Sequence, residues 1–456
     1  MFIPFTPRKL PFLGTAFIVV LFAFNAKAQV PENKTFKILN AGFLGEYESF
    51  PITTEYNATY RVITNQVYDF HTFPFRLCFY NTTPASFVLG IRAGDRDDES
   101  LMRWVWDANR NHPVGDNAAL SFGRDGNLVL FDSDGSLVWQ TGTGNRGVTG
   151  IKLLQNGNLV LYDKKGKFIW QSFDHPVDTL LAGMSVSSTN NAVNKLVSRN
   201  SDIDGSDGKY SLVHGESGLL LYMSDSGRQI IYNGWPGNWG NSARFSVQPT
   251  GWETPPATTW DLRFQILVDS SPTPYVAGIQ QLSSIKYNAT YSFLRIESDG
   301  NVKAYTYYDR VRFDRWVKSF AFFSNSYVRE CGLPTKCGSF GLCDNGMCIG
   351  CPTPKGILGW TENCQPPKLK ACRSSGKIFK GKYYKVAGAE SFMNRVWSSG
   401  EGQEGPMKLE TCRDKCSNDC NCKGFVYKED TFMCFVLPVL GTLVKFANTS
   451  SVYVKY

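Results

Sequence analysis

The stretch Asp125-Gly-Asn-Leu-Val-Leu-Phe131, which runs on to Trp139, occurs again as Asn156-Gly-Asn-Leu-Val-Leu-Tyr162, which runs on to Trp170. The motif asparagines of the two copies are 31 residues apart, and so are the tryptophans. A segment that repeats both its motif and its spacing is one supersecondary unit used twice. Each copy indicates a tight turn, an alternating strand and a second strand that ends in Trp.

A weaker third copy ends at Trp106, 33 residues before Trp139. The Asp-Gly and Asn-Gly dipeptides in this region favour the left-handed dihedral angles that tight hairpins require. Three such units, each with one apolar face and one Trp, would bury those faces against one another around a common axis. The repeat therefore predicts a three-sided prism of β-sheets.

The same pattern returns more loosely after Gly183. Residues 204–213 and 218–222 form a predicted hairpin, and Arg295-Ile-Glu-Ser-Asp-Gly-Asn-Val-Lys-Ala-Tyr305 repeats the Asp-Gly-Asn turn. A second, diverged prism is the simplest interpretation. The chain of 456 residues is long enough for two to four domains, and its 14% aromatic residues, 42 Gly and 22 Pro favour strands and turns over helices. We predict a mainly β protein.

The N-terminus has the pattern of a secretory signal. Arg8 and Lys9 precede an apolar run from Phe12 to Phe24, and Ala26-Lys27-Ala28 offers the small residues of a cleavage site. That run is too short to cross a bilayer, and no later segment is long and apolar enough. We expect a signal peptide at 1–28 and a secreted, soluble chain that begins near Gln29, with no membrane partner.

Cysteine usage agrees with an oxidising compartment. Twelve of the 13 cysteines form two sets of six, which we predict to be disulfide-bonded: Cys331, Cys337, Cys343, Cys348, Cys351 and Cys364, then Cys372, Cys412, Cys416, Cys420, Cys422 and Cys434. A zinc site is the competing interpretation of such spacing, but no His lies nearby. Cys78 stands alone and is a buried free thiol, an interchain disulfide or a partner of the C-terminal set.

Five Asn-x-Ser/Thr sequons are candidate glycosylation sites in a secreted protein: Asn33, Asn57, Asn81, Asn288 and Asn448.

The repeated block resembles the bulb-type, mannose-binding (curculin-like) lectins of plants, β-prisms whose sugar site follows the pattern Gln-x-Asp-x-Asn-x-Val-x-Tyr. The resemblance implies that the Asp and Asn bind the axial 2-hydroxyl of mannose, the Gln and Tyr bind neighbouring hydroxyls, and the Val packs on the sugar carbons. Alternate positions share one face of a strand, so a single strand can present all five. The carbohydrate-binding candidates are Asp125, Asn127, Val129, Asn156, Asn158, Val160 and Tyr162.

Both copies depart from that pattern. In the first copy Gly123 replaces Gln and Phe131 replaces Tyr; in the second, Leu154 replaces Gln and Asn156 replaces Asp. Each missing hydrogen-bond partner weakens a site by about 1–3 kcal/mol. The alternative interpretation is that Asp-Gly-Asn is only a hairpin turn and that the apolar residues are only core.

The resemblance covers nearly the whole mature chain. Trp170-Gln-Ser-Phe-Asp-His-Pro-Val-Asp-Thr-Leu-Leu-Ala-Gly-Met184 resembles the segment that joins lectin and S-locus glycoprotein domains, and residues 232–239 resemble a signature of the second domain. The cysteine sets resemble an EGF-like module and a PAN/apple domain. The domain order is most similar to the epidermis-specific secreted glycoproteins, and to the ectodomain of related receptor kinases without the kinase. The predicted boundaries are a lead-in at 29–44, a lectin domain at 45–182, a second prism at 183–328, an EGF-like module at 329–366 and a PAN/apple domain at 367–456.

No pattern in the sequence favours an enzyme. The four histidines, His71, His112, His175 and His214, fall in no metal or triad motif, and no phosphate loop or nucleic-acid signature is present. We therefore expect no cofactor, no bound metal and no nucleic acid. The predicted function is binding of mannose-type glycans or glycoproteins, with other secreted or wall proteins as further partners, in the plant cell wall (apoplast). The alternative is a wall structural or protein-interaction role, such as a partner or inhibitor of secreted hydrolases, with degenerate lectin sites.

Overall fold

The computed structural model describes residues 29–41, 59–83, 85–94, 103–189, 193–250, 259–270, 273–287, 291–308, 310, 316–324, 327–369, 381–393, 404–446 and 449–456. The predicted signal peptide at 1–28 lies outside the described residues. So do three of the predicted glycosylation sites and one predicted disulfide cysteine: Asn57, Asn288, Asn448 and Cys372.

Three antiparallel sheets form the first prism. The sheet that carries the first motif copy has the order β1-β7-β8-β9: β1 Phe36–Leu39, β7 Ala119–Phe122, β8 Leu128–Phe131 and β9 Leu137–Gln140. The sheet of the second copy has the order β10-β11-β12: β10 Val148–Leu153, β11 Leu159–Asp163 and β12 Phe168–Gln171. The third sheet has the order β2-β4-β5-β6, with β3 paired to β4: β2 Thr59–Val62, β3 His71–Thr72, β4 Phe75–Thr83, β5 Ser86–Ala93 and β6 Arg103–Asp107.

The repeated tryptophans meet where the three sheets converge. The ring centroids of Trp106, Trp139 and Trp170 are 5.8–6.0 Å apart in each pair, with the rings edge to face. This is a favourable geometry for aromatic rings, because the positive edge of one ring faces the negative face of the next. The predicted three-sided prism, with one Trp from each unit, is confirmed.

A second prism of three four-stranded sheets follows, as predicted. The sheets have the orders β13-β22-β23-β24, β14-β19-β20-β21 and β15-β16-β17-β18. Their strands are as follows: β13 Thr179–Leu181, β14 Ser185–Ser187, β15 Lys195–Arg199, β16 Asp207–Gly215, β17 Gly218–Asp225, β18 Arg228–Pro236, β19 Ser242–Pro249, β20 Thr259–Val268, β21 Tyr275–Lys286, β22 Ser292–Ile296, β23 Val302–Tyr307 and β24 Trp316–Ala321. The first strand of this prism, β13, lies just before the predicted boundary at 182.

The cysteine-rich part contains two further sheets. One has the order β27-β26-β25-β32-β29: β25 Phe340–Asp344, β26 Met347–Thr353, β27 Gly356–Leu358, β29 Ala389–Ser391 and β32 Gly441–Lys445. The other has the order β28-β33-β30-β31, with helix α1 Leu409–Asn418 packed on it: β28 Tyr383–Ala387, β30 Gly424–Lys428, β31 Met433–Leu437 and β33 Ser450–Lys455. Because β25 pairs in parallel with β32, the two predicted cysteine modules share one sheet.

Disulfides staple both modules, as the cysteine pattern predicts. Three bridges lie between residues 331 and 364, namely Cys331–Cys343, Cys337–Cys348 and Cys351–Cys364. Two more, Cys412–Cys434 and Cys416–Cys422, hold α1 against its sheet, and Cys420 is also disulfide-bonded. Disulfide bonding of these cysteines excludes their use as zinc ligands. Of the three alternatives for Cys78, the structure supports the buried free thiol.

A buried cluster of charges joins the two prisms. It contains two aspartates and three arginines, none more than 6% exposed: Asp107, Asp178, Arg110, Arg199 and Arg295. Asp178, between the prisms, pairs with Arg199 Nε at 3.0 Å and with Arg110 at 3.1 Å. Asp107 of the first prism pairs with the same two arginines at 3.0 and 2.7 Å. Loss of either aspartate would therefore leave buried positive charge uncompensated at the junction of the prisms.

Among the described residues, no helix has the length and apolar character needed to span a membrane.

Candidate functional site

The same turn geometry places the motif residues in three copies of the pattern. Gly126, Gly157 and Gly300 have φ of 80°, 85° and 84°, in the left-handed region that favours glycine. In each case the glycine N–H donates to the carbonyl three residues back, at 2.9–3.0 Å. In each case the next strand begins one residue after the motif asparagine. The turn therefore fixes which face of the sheet each motif side chain lies on.

The motif asparagine ties two strands of each sheet together. Asn158, 3% exposed, donates from Nδ2 to Gln171 at 2.9 Å, and its Oδ1 accepts from the Ser172 hydroxyl at 3.2 Å and the Phe173 N–H at 3.3 Å. Asn127 makes the same set of bonds, with Gln140, Thr141 and Thr143. The amides of both predicted sugar ligands are thus used by the protein itself.

In the first copy, nearby backbone lies close to the Asp125 side chain. Asp125 Oδ1 accepts from the backbone N–H of Asn127 at 3.1 Å. A Cβ added to Gly144 would lie 2.8 Å from Asp125 Oδ2, so the backbone of the loop after β9 lies against this carboxylate. Val129 and Phe131 are half-buried on the strand that follows. Asp125 itself is half-buried, so this loop narrows the approach to its carboxylate.

The second copy borders an open cleft of about 540 Å³. Tyr162 lines it together with Leu154 and with five residues of the segment that leads into and includes β3: Val67, Tyr68, Asp69, His71 and Thr72. Of the other predicted ligands, Val160 is buried at 1% exposure, and Asn156 is exposed on the turn, where its Oδ1 accepts from the Asn158 N–H at 3.2 Å. The structure therefore brings Tyr162, but neither Asn158 nor Val160, to an accessible surface.

Tyr68 supplies an unpaired hydroxyl to this cleft. Its side chain is 8% exposed, and its hydroxyl finds no hydrogen-bond partner among the described residues. Burial, and to a smaller extent the nearby Tyr162, raises the pKa of Tyr68 to about 12, so this phenol stays protonated at neutral pH. A buried unpaired hydroxyl costs about 1–3 kcal/mol, which a ligand hydroxyl would offset. No sequence signal points to Tyr68, because it lies outside the repeat.

The second prism holds a third copy of the Gln-x-Asp-x-Asn-x-Val-x-Tyr pattern, of which the sequence analysis recognised only the Asp-Gly-Asn turn. Glu297, Asp299, Asn301, Lys303 and Tyr305 have the same alternate spacing, with Glu in place of Gln and Lys in place of Val. The motif Asn again ties its strand to the next, by bonds to both backbone groups of Phe323, at 2.8 and 3.0 Å.

A cleft of about 570 Å³ borders this third copy, lined by Asp299, Asn301 and Lys303 among others. The Tyr305 hydroxyl donates to Glu297 at 2.7 Å, so the first and last motif positions bind each other. Full use of the spacing pattern beyond the Asp-Gly-Asn turn would have identified this copy from sequence.

Two sequons lie among the described residues and differ in exposure. Asn33 is exposed, whereas Asn81 is 8% exposed within β4, between β2 and β5. We expect the secreted protein to carry a glycan at Asn33 and none at Asn81, because a glycan needs a surface position. Mass spectrometry of peptides after enzymatic deglycosylation measures both occupancies. A glycan on Asn81 would contradict the placement of β4 in the middle of its sheet.

Within the described ranges, no group of three or more His, Cys, Asp or Glu side chains is placed to hold a metal ion.

Two family models match the chain. Residues 103–200 match the model described as D-mannose binding lectin, and residues 390–453 match the PAN domain. The first match contains both motif copies of the first prism, and the second contains α1 and strands β30, β31 and β32. The predicted lectin-type prism and PAN/apple domain are confirmed.

Relatives extend the match to the whole chain. EP1-like glycoprotein 2 of Arabidopsis thaliana is 49% identical over 444 residues, which cover 94% of this chain and 95% of that protein. The epidermis-specific secreted glycoprotein EP1 of Daucus carota is 46% identical over 360 residues, which cover 75% of this chain and 90% of that protein. The putative receptor protein kinase ZmPK1 of Zea mays is 28% identical over 371 residues, but these cover only 41% of that protein. The chain therefore belongs to the EP1-like family of secreted, lectin-type plant glycoproteins.

Proposed function

We propose that the protein is secreted to the plant cell wall and binds mannose-type glycans, or glycoproteins that bear them, at the cleft beside Tyr162. The lectin-type fold supports glycan binding in general. The cleft is of the size usual for small-ligand sites and combines aromatic rings with polar groups, as sugar recognition requires.

The Tyr68 hydroxyl is the observation that carries this proposal. It is buried and unpaired among the described residues, and it lines the same cleft as Tyr162, the predicted ligand of the second copy that borders this cleft. Asp69, whose Oδ1 accepts from the His71 N–H at 2.8 Å, and Gln155 add an exposed carboxylate and amide to the cleft. These groups can pair with adjacent hydroxyls on one sugar ring.

Replacement of Tyr162 by alanine is expected to weaken binding of mannose-type oligosaccharides by about tenfold, because loss of one aromatic contact and one hydrogen bond amounts to about 1–2 kcal/mol. Isothermal titration calorimetry and retention on a mannan column measure the effect. Phe131→Ala, at the same motif position of the first copy, is the matched control and should bind like the wild type.

A second variant separates binding from stability. Tyr68→Phe removes the unpaired hydroxyl and keeps the ring, so we expect weaker glycan binding with an unchanged or slightly higher free energy of unfolding.

The proposal fails if the wild-type protein is not retained on mannan and a glycan array stays blank, or if Phe131→Ala alone abolishes binding.

A protein-interaction or structural role is the second candidate, and the internal hydrogen bonds of the motif asparagines favour it. Asp125 lies against the backbone of Gly144, and the amides of Asn127 and Asn158 are bound internally. A protein captured reproducibly from wall extracts by a column of this protein, together with a blank glycan array, would support this role over glycan binding.

A further inference from the structure

A cleft of about 620 Å³ lies between the second prism and the sheet that the two cysteine modules share. The prism contributes residues of β18, β21 and β24, and the shared sheet contributes residues of β29 and β32. It is separate from the cleft beside Tyr162, which lies wholly in the first prism. It also falls largely outside the two segments that match family models.

Aromatic side chains dominate one part of this cleft. Trp235 is held by edge-to-face contacts with Phe322, at 4.7 Å between centroids, and Phe264, at 5.7 Å. Phe320 is half-buried, and Phe446, on the opposite wall, is 47% exposed. A ring fixed by its neighbours presents a face at low entropic cost, and the negative face of an aromatic ring attracts the C–H groups of a sugar.

Uncharged amides supply most of the polar lining. Asn233 Oδ1 accepts from the Gly234 N–H at 3.0 Å, and Gln280 Nε2 donates to the Gln281 carbonyl at 2.9 Å. Within the described part of the chain this leaves the amide nitrogen of Asn233 as a donor and the amide oxygen of Gln280 as an acceptor. Alternating donors and acceptors of this kind suit the hydroxyl groups of a neutral sugar.

Glu390 is the one ionisable side chain among the described residues that line the cleft. It is 1% exposed, and its Oε1 accepts from the Ser450 hydroxyl at 2.6 Å and lies 3.7 Å from Lys428 Nζ. Its Oε2 is buried and has no hydrogen-bond partner in the described ranges. A ligand hydroxyl could donate to this oxygen after a small shift of the side chain. The described lining offers no cation that could pair with a carboxylate of a ligand.

We propose that this cleft is a second carbohydrate site, which takes a short neutral oligosaccharide with its ring faces on Trp235 and Phe446 and its hydroxyls on Asn233, Gln280 and Glu390. This site does not depend on the one proposed beside Tyr162. The protein would then bind glycans at two separated places and could connect two polysaccharide chains.

The test uses the full secreted protein and neutral tetrasaccharides of glucose, mannose and xylose, with titration calorimetry as the readout. Phe446→Ala and Gln280→Ala change exposed or half-buried side chains, so both variants should fold normally, which circular dichroism verifies. Each is expected to weaken binding of at least one neutral tetrasaccharide by about tenfold. Phe432→Ala is the matched control, since Phe432 is also an exposed phenylalanine of the C-terminal part, at 54%.

Binding that persists unchanged in Tyr162→Ala but is lost in Phe446→Ala supports the second site. The proposal is overturned if no neutral tetrasaccharide binds, if Phe432→Ala weakens binding as much as Phe446→Ala, or if Tyr162→Ala alone removes all binding. Preferential binding of oligogalacturonic acid would also overturn it, because the only charge in the described lining is the carboxylate of Glu390.

Discussion

Replacing Asp178 by alanine is expected to lower the free energy of unfolding of the prisms by about 3–5 kcal/mol, the usual cost of removing one partner of a buried ion pair. Asp178 is fully buried and pairs with Arg110 and Arg199 at 3.0–3.1 Å. Its removal leaves three buried guanidinium groups with only Asp107 as a carboxylate partner in the cluster. Urea unfolding followed by tryptophan fluorescence measures the change.

The matched control is Asp116→Ala. Asp116 also forms an ion pair, with Arg61 at 2.8 Å, but its side chain is 52% exposed. Surface pairs contribute at most about 1 kcal/mol, so this variant should unfold almost like the wild type. Equal losses in the two variants would show that the buried cluster does not hold the prisms together.

The same cluster predicts a pH dependence. Burial alone would raise the pKa of Asp178, but the guanidinium groups of Arg110, Arg199 and Arg295 outweigh it and hold the pKa well below its usual range. A carboxyl with a lowered folded-state pKa stabilises fully above its unfolded pKa, about 3.9, and loses that contribution as the pH falls further. The difference in stability between the wild type and Asp178→Asn should therefore stay constant above about pH 5 and shrink below about pH 4.

Replacing Asn158 by alanine is expected to cost about 2–4 kcal/mol of stability, because buried groups that lose a hydrogen-bond partner pay about 1–3 kcal/mol each. The substitution leaves the Phe173 N–H and the Ser172 hydroxyl without the Asn158 oxygen at 3.3 and 3.2 Å. Both groups directly follow β12, so the substitution should weaken the contact between the end of β12 and the start of β11. Differential scanning calorimetry of the secreted protein measures the loss.

Asn156→Ala is the control for this prediction. Asn156 is exposed and binds only the Asn158 N–H, at 3.2 Å, among the contacts that the structure describes. We expect a loss of no more than about 1 kcal/mol. If instead Asn158→Ala leaves stability unchanged and abolishes glycan binding, the asparagine is a sugar ligand and its assignment as a strand-to-strand tie is wrong.

The architecture could be predicted because it depends on periodic features. The 31-residue repeat, the Asp-Gly and Asn-Gly turns and one Trp for each unit predicted the prism, and Trp106, Trp139 and Trp170 do meet on its axis. Two even sets of cysteines predicted the stapled modules. Each of these signals can be recognised from the spacing of residues along the chain, without knowing which distant segments pack together.

The site was harder to predict because it depends on residues from different sheets. Tyr68 reaches the cleft beside Tyr162 from a strand connection that carries no repeat, and Gly144 lies close to Asp125 from a loop whose path no motif encodes. The buried charges were also missed, since Asp107, Asp178 and Arg199 are distant in sequence and meet only at the prism interface. Alternation along a strand shows which residues share a face but not what covers that face.

A crystal structure of the secreted protein soaked with a mannose-type oligosaccharide tests most directly whether the lectin motif acts through the cleft beside Tyr162. The predicted result is ligand density against Tyr162 and the Tyr68 hydroxyl, with Asn127 and Asn158 still bound to Gln140 and Gln171. Density over Asp125 and Asn127, or no density at the Tyr162 cleft, would contradict this assignment.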